Sequence, residues 1–148
     1  MKTLHNTPLR DALCGPMDAA GVELAVLLLE ADERSEGSDA LKVRLARRLA
    51  AAPLSDDQRN RLAAIVLRSL RHGGEEVFRA YAHLAPAVAT PIFEAAVGCY
   101  VSFCDPLVAG RAEHVLDVLS LSPGAATGAE PAAPRPRRRR ETLCAGAD

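Results

Sequence analysis

The stretch from Ser55 to Gly74 carries the start and the stop of a single helix, and no other part of the chain restricts its fold as tightly. Ser55-Asp-Asp-Gln58 is a capping-box pattern, in which the Ser and Gln side chains satisfy amide donors that a helix start leaves unpaired. Leu62, Ile65, Val66, Ser69 and Leu70 then recur on one face, and Gly73-Gly74 terminates the run. The pattern predicts a helix from about residue 55 to residue 72.

Helical spacing continues on both sides of it. Thr7-Pro8 and Gly15-Pro16 read as helix starts, because Pro at the first helical position gives up only an N–H that has no partner there. A short turn near residues 8–14 then leads into a helix over about 16–33. In that helix Leu24, Leu27, Leu28 and Ala31 form one stripe, with Val22, Val26 and Leu29 covering much of the remaining surface. A helix apolar nearly all round belongs at the centre of a fold. After a loop at Arg34–Ser38, Ser38 caps a second helix to about residue 52 that buries Leu41, Leu45 and Leu49, and Pro53 ends it. A fourth, over about 75–85, presents Val77, Phe78, Tyr81, Ala82 and Leu84, and is closed by Pro86. Thr90-Pro91 opens a fifth with Phe93, Ala96, Val97, Tyr100, Val101 and Cys104 on one face. Asp105-Pro106 opens a sixth that buries Val108, Ala112, Val115, Leu116 and Leu119.

Composition agrees with this count. The chain is 49% hydrophobic but 3% aromatic, with no Trp, so its core must be Ala, Leu and Val. Ala and Leu head the helix propensities, and no stretch reads as a strand. The expectation is an all-α domain over residues 1–121, with about six helices in antiparallel hairpins. From residue 122 Pro, Ala, Gly and Arg replace the apolar period, so 122–148 reads as a disordered tail.

The second and third helices overlay the fourth and fifth at an offset of 35, with Ser55 on Thr90, Leu62 on Val97, Ile65 on Tyr100 and Val66 on Val101. Genuine repetition and two amphipathic hairpins of similar length both account for that match. The run Asp105-Pro-Leu-Val108-Ala-Gly-Arg111-Ala112-Glu-His-Val115-Leu116-Asp-Val-Leu119 resembles one helix of a HEAT or armadillo-like repeat. The 35–36 residue period is shorter than is usual for HEAT and close to that of tetratricopeptide repeats, whose Trp-Leu-Gly-Tyr signature is absent. The resemblance implies a short stack of helical hairpins that binds partners and has no inherent catalysis. An irregular helical bundle is the other architecture open to this pattern.

Catalytic and metal signatures are absent. No Cys-x-x-Cys or His-x-x-x-His pair occurs among His5, His72, His83, His114 and the four Cys, and no Gly-x-Ser-x-Gly, Walker or dinucleotide motif is present. Asp56-Asp57 and Glu75-Glu76 are helix first-turn acids, and His72 suits a helix C-terminus. The expectation is a protein that is not an enzyme and needs neither cofactor nor metal; an enzyme would need a site assembled only in three dimensions. Cys14, Cys99 and Cys104 read as reduced, small packing residues, and Cys104→Ser and Cys144→Ser as tolerated substitutions. The start of the chain has no apolar secretory segment, and the longest apolar run, Leu24–Leu29, is far short of the ~20 residues that span a bilayer. The expected location is cytoplasmic, or nuclear in a eukaryotic cell, with no membrane attachment.

Charge supplies the functional expectation. Residues 38–72 hold eight basic and three acidic side chains, while residues 1–37 hold three and seven. Arg44, Arg47 and Arg48 share a flank of the second helix, and Arg61, Arg68 and Arg71 a flank of the third. Such guanidinium clusters bind carboxylates or phosphates in a bidentate way. A solvated face balanced by acidic neighbours is the bland alternative. Arg135, Arg137, Arg138, Arg139 and Arg140 in the tail would hold a polyanion, but no aromatics interleave them for base stacking. The leading expectation is a non-catalytic protein-interaction module docking an acidic protein surface. The alternative is an accessory nucleic-acid-binding protein using the same arginines and the tail.

Overall fold

A computed structural model describes residues 14–15, 17–31 and 39–122, and within them the chain is helical with no strand. The helices are α1 (Ala19–Ala31), α2 (Asp39–Ala50), α3 (Asp56–Ser69), α4 (Glu75–Ala82), the single turn α5 (Ala85–Val88), α6 (Pro91–Val101) and α7 (Pro106–Leu121). The turn expected at residues 8–14, the loop at 34–38, the tail beyond Ser122 with its arginines, and Cys144 lie outside the described residues, apart from Cys14.

Local chemistry sets most helix starts. Ser55 and Gln58 form the capping box in full, the Ser55 side chain accepting from the Gln58 amide at 3.3 Å and the Gln58 side chain accepting from the Ser55 amide at 3.0 Å. Thr90 accepts from the Phe93 amide and Asp105 from the Leu107 amide, each followed by Pro. At α1 the cap is Asp18, whose carboxylate accepts from the Gly21 amide at 2.8 Å, so this helix starts at Ala19 rather than near residue 16. Pro86 does not close α4. The chain leaves the helix at His83, and Pro86 sits in the first turn of α5, where its missing N–H costs no bond.

Helix α3 is the hub. It packs against α1, α4, α5 and α6, while α2 lies mainly on α4 and α1, and α6 and α7 form an extensively paired antiparallel unit. One core joins Val22 and Leu29 of α1, Leu45 and Leu49 of α2, Leu62, Ile65 and Val66 of α3, Phe78 of α4, Val97 of α6 and Ala112 and Val115 of α7. The apolar residues expected on the third and fourth helices are all buried. Among the described residues, no helix is long and apolar enough to cross a membrane.

Three expectations about faces need correcting. In α1 the buried set is Val22, Ala25, Val26 and Leu29, and Leu27, placed in the core stripe from sequence, is 48% exposed. Because the helix is apolar nearly all round, periodicity could not select its inner face; contact with α2 and α3 did. Cys104 lies beyond the end of α6 and is exposed. Cys14 and Cys99 are exposed as well, so none of these three thiols fills core space.

The glycines give a stability test with opposite signs. Gly73 has φ of +93°, a conformation costing an L side chain roughly 1–2 kcal/mol. Gly98 and Gly110 lie inside α6 and α7, and a Cβ there meets nothing within 4 Å. Chemical denaturation should show Gly73→Ala destabilising by about 1 kcal/mol or more, and Gly98→Ala and Gly110→Ala each stabilising by about 0.5–1 kcal/mol. Equal effects at all three positions would contradict the backbone assignment at Gly73.

Candidate functional site

The site is built on one edge of α3. Arg61 and Arg68 follow at i and i+7, so they share the edge of α3 that faces α1, and His72 lies in the turn just beyond the end of the helix. Glu23 and Glu30 repeat the seven-residue spacing on α1. Arg61 joins the two helices: its Nη2 lies 2.6 Å from Glu30 Oε2, its Nε 2.9 Å from Glu30 Oε1, and its Nη1 2.7 Å from Glu23 Oε1. Gln58 adds a 2.9 Å bond from its amide to Glu23. The Arg61 side chain is 23% exposed, so this fork is partly shielded from solvent.

These bonds shift the acid chemistry of the cluster. The Gln58 amide, followed by the Arg61 guanidinium, holds the Glu23 carboxyl below the usual range. Hydrogen bonding from Arg61 does the same for Glu30, against a smaller opposing effect of burial. The guanidinium is in turn held even more firmly protonated by Glu30 and then Glu23. Folded pKa values below the unfolded value of about 4.3 mean that the clamp stabilises the fold fully above that pH, and that this stabilisation is lost as pH falls through the lowered folded values. An Arg61→Gln variant should therefore show a shallower loss of stability below about pH 4.5 than the parent chain. Parallel pH profiles for the two in urea denaturation would rule the clamp out as a contributor.

Beyond the clamp, the end of α1 together with α2, α3 and α4 encloses an open groove of about 590 Å³. Ile65, Val77 and Tyr81 form its apolar floor, and Lys42, Arg68 and His72 stand on its walls. Lys42 is largely buried, 3.9 Å from Asp39 at the start of its own helix. Ser69, also in the lining, donates to the Val66 carbonyl at 2.7 Å, so its proton is committed to the backbone. Glu30, bonded to Arg61, is the carboxylate in this lining.

The six arginines expected to form one partner surface are spread over several. Arg44 and Arg47 project from the exposed side of α2 and make no ion pair with a described residue. Arg48 donates to the Gly15 carbonyl and ties α2 to the segment before α1. Arg61 is the interhelix clamp, and Arg68 lines the groove. Arg71 stacks over Tyr100 at 5.5 Å and Phe103 at 4.8 Å, two rings whose centroids are 5.6 Å apart. Matched seven-residue spacing of Glu23 and Glu30 with Arg61 and Arg68 was the available sign that the α3 flank faces α1.

Arg111, a member of the repeat-like run in the sequence, ties α7 to the end of α3. It is 6% exposed and reaches from α7 to the end of α3, donating to the Ser69 and Gly73 carbonyls at 3.0 Å each. These carbonyls belong to a helix end and the glycine turn behind it, where acceptors lack helical partners. The sequence marks Arg111 only as an arginine within a helical pattern, without its partners. Among the described residues no three His, Cys, Asp or Glu side chains gather in a way that could hold a metal ion. No family model, curated protein or solved structure matches the chain.

Proposed function

We propose that this chain is a non-catalytic protein-interaction module whose groove between α1, α2, α3 and α4 receives a partner segment carrying an acidic side chain beside an apolar one. The observation that carries this reading is the joining of an apolar floor, Ile65, Val77 and Tyr81, to Lys42, Arg68 and His72 in one open cavity. The apolar floor supplies burial on association, and the cations select for negative charge and speed encounter. Arg44 and Arg47, exposed elsewhere on α2, add longer-range attraction for an acidic partner.

A photo-crosslinking residue at exposed position 31, on the groove rim, tests this in native lysate, with nuclease treatment before capture. The expected result is one protein partner, recovered after nuclease and lost when Arg68→Glu is added. Recovery that disappears with nuclease and follows Arg44 and Arg47 instead would favour the nucleic-acid reading. A captured protein insensitive to Arg68→Glu would remove the groove from the proposal.

A further inference from the structure

On the opposite side of α4 from the groove's His72 wall, a second cleft of about 400 Å³ runs between two helix edges. The α4 edge presents Glu75, Arg79 and His83 at successive i+4 positions, and the α7 edge presents Leu107, Arg111 and His114 at i+4 and i+7. Phe78 lies between them, with the Arg111 guanidinium 4.8 Å above its ring and the His114 ring 5.8 Å away.

The charges do not balance. Glu75 is the cleft's one carboxylate, and it is shared: 2.9 Å from Arg79 Nε and 3.7 Å from Arg111 Nη2. Two guanidinium groups against one carboxylate leave one positive charge before either imidazole is counted. Arg111 otherwise has only backbone carbonyls as acceptors, and its buried Nε has no hydrogen-bond partner. A guanidinium at this depth with an incomplete set of acceptors favours a further negative group nearby. Phe78 and Leu107 make the rest of the lining apolar, and Gly110 leaves its wall without a side chain.

We propose that this cleft binds a small monocarboxylate with an apolar body, its carboxylate held by Arg79, His83 and His114 in the field of Arg111 and its hydrocarbon against Pro106 and Leu107. The apolar part of the lining at Pro106 and Leu107 suits an anion that carries a hydrocarbon body better than inorganic phosphate. The proposal is independent of the groove reading, since the two cavities share no lining residue.

The test is an NMR titration of the full chain with hexanoate, following the His83 and His114 ring protons, with hexanamide at equal concentration and chloride at equal ionic strength as controls. Saturable shifts with hexanoate alone are expected. His114→Gln and Arg79→Gln should each weaken the apparent affinity at least five-fold, and Gly110→Leu should abolish saturation by filling the cleft. Spectra of the buried core methyls report that each variant is folded. Shifts that never saturate, that hexanamide reproduces, or that survive in all three folded variants would overturn the proposal. A failure here leaves the groove crosslinking result untouched.

Discussion

Leu29→Ala is expected to lower the unfolding free energy by about 2–5 kcal/mol, while Leu27→Ala, two residues earlier on the same helix, should cost less than about 1 kcal/mol. Leu29 is fully buried where α1 meets α2 and α3, so truncating it removes apolar contacts and leaves a cavity that close-packed neighbours refill only in part. Leu27 is 48% exposed, and its truncation returns little surface to water. Urea denaturation of the two variants, with the slope checked for constancy, measures the contrast. A larger loss at Leu27 would mean that α1 presents the opposite face to the core.

Arg111→Ala should cost about 2–3 kcal/mol, an unusual amount for loss of an arginine on a predominantly polar helix edge. The side chain supplies charge-assisted bonds to the Ser69 and Gly73 carbonyls and covers the Phe78 ring. Removing it strands acceptors at the end of α3 and opens space over Phe78. The cost is moderated because the guanidinium is itself expensive to bury and because Glu75, 54% exposed, returns to water when unpaired. Arg111→Met should fall between the parent and Arg111→Ala, since its chain keeps part of the packing and none of the donors. Amide exchange should quicken in the last turn of α3 and at Gly73 in both variants. A cost for Arg111→Ala no greater than that of Arg79→Ala, at an exposed position, would show that these bonds contribute little.

The candidate site was legible only in its ingredients. A basic segment at 38–72 was evident, and so were the helix starts at Ser55, Thr90 and Asp105, because caps and prolines act within four residues of themselves. A shared surface for Arg44, Arg47, Arg48, Arg61, Arg68 and Arg71 was not determined by their spacing. Long guanidinium side chains go to the nearest acceptor, and for Arg61 this was a pair of carboxylates 31 and 38 residues away on another helix. For Arg48 it was a backbone carbonyl, and for Arg71 a pair of rings.

By itself the sequence determined that the described chain is helical, where most of its helices begin, and which faces of α3 and α4 are buried, since strong amphipathic periodicity admits one inward face. Only the tertiary structure decided the inward face of α1, the break between α4 and α5, the exposure of Cys99 and Cys104, and the roles of Arg61 and Arg111. The physical reason is the range of the interactions. Capping and periodicity act within a few residues, whereas a uniformly apolar helix or a flexible cation takes its orientation from whichever distant surface packing brings against it.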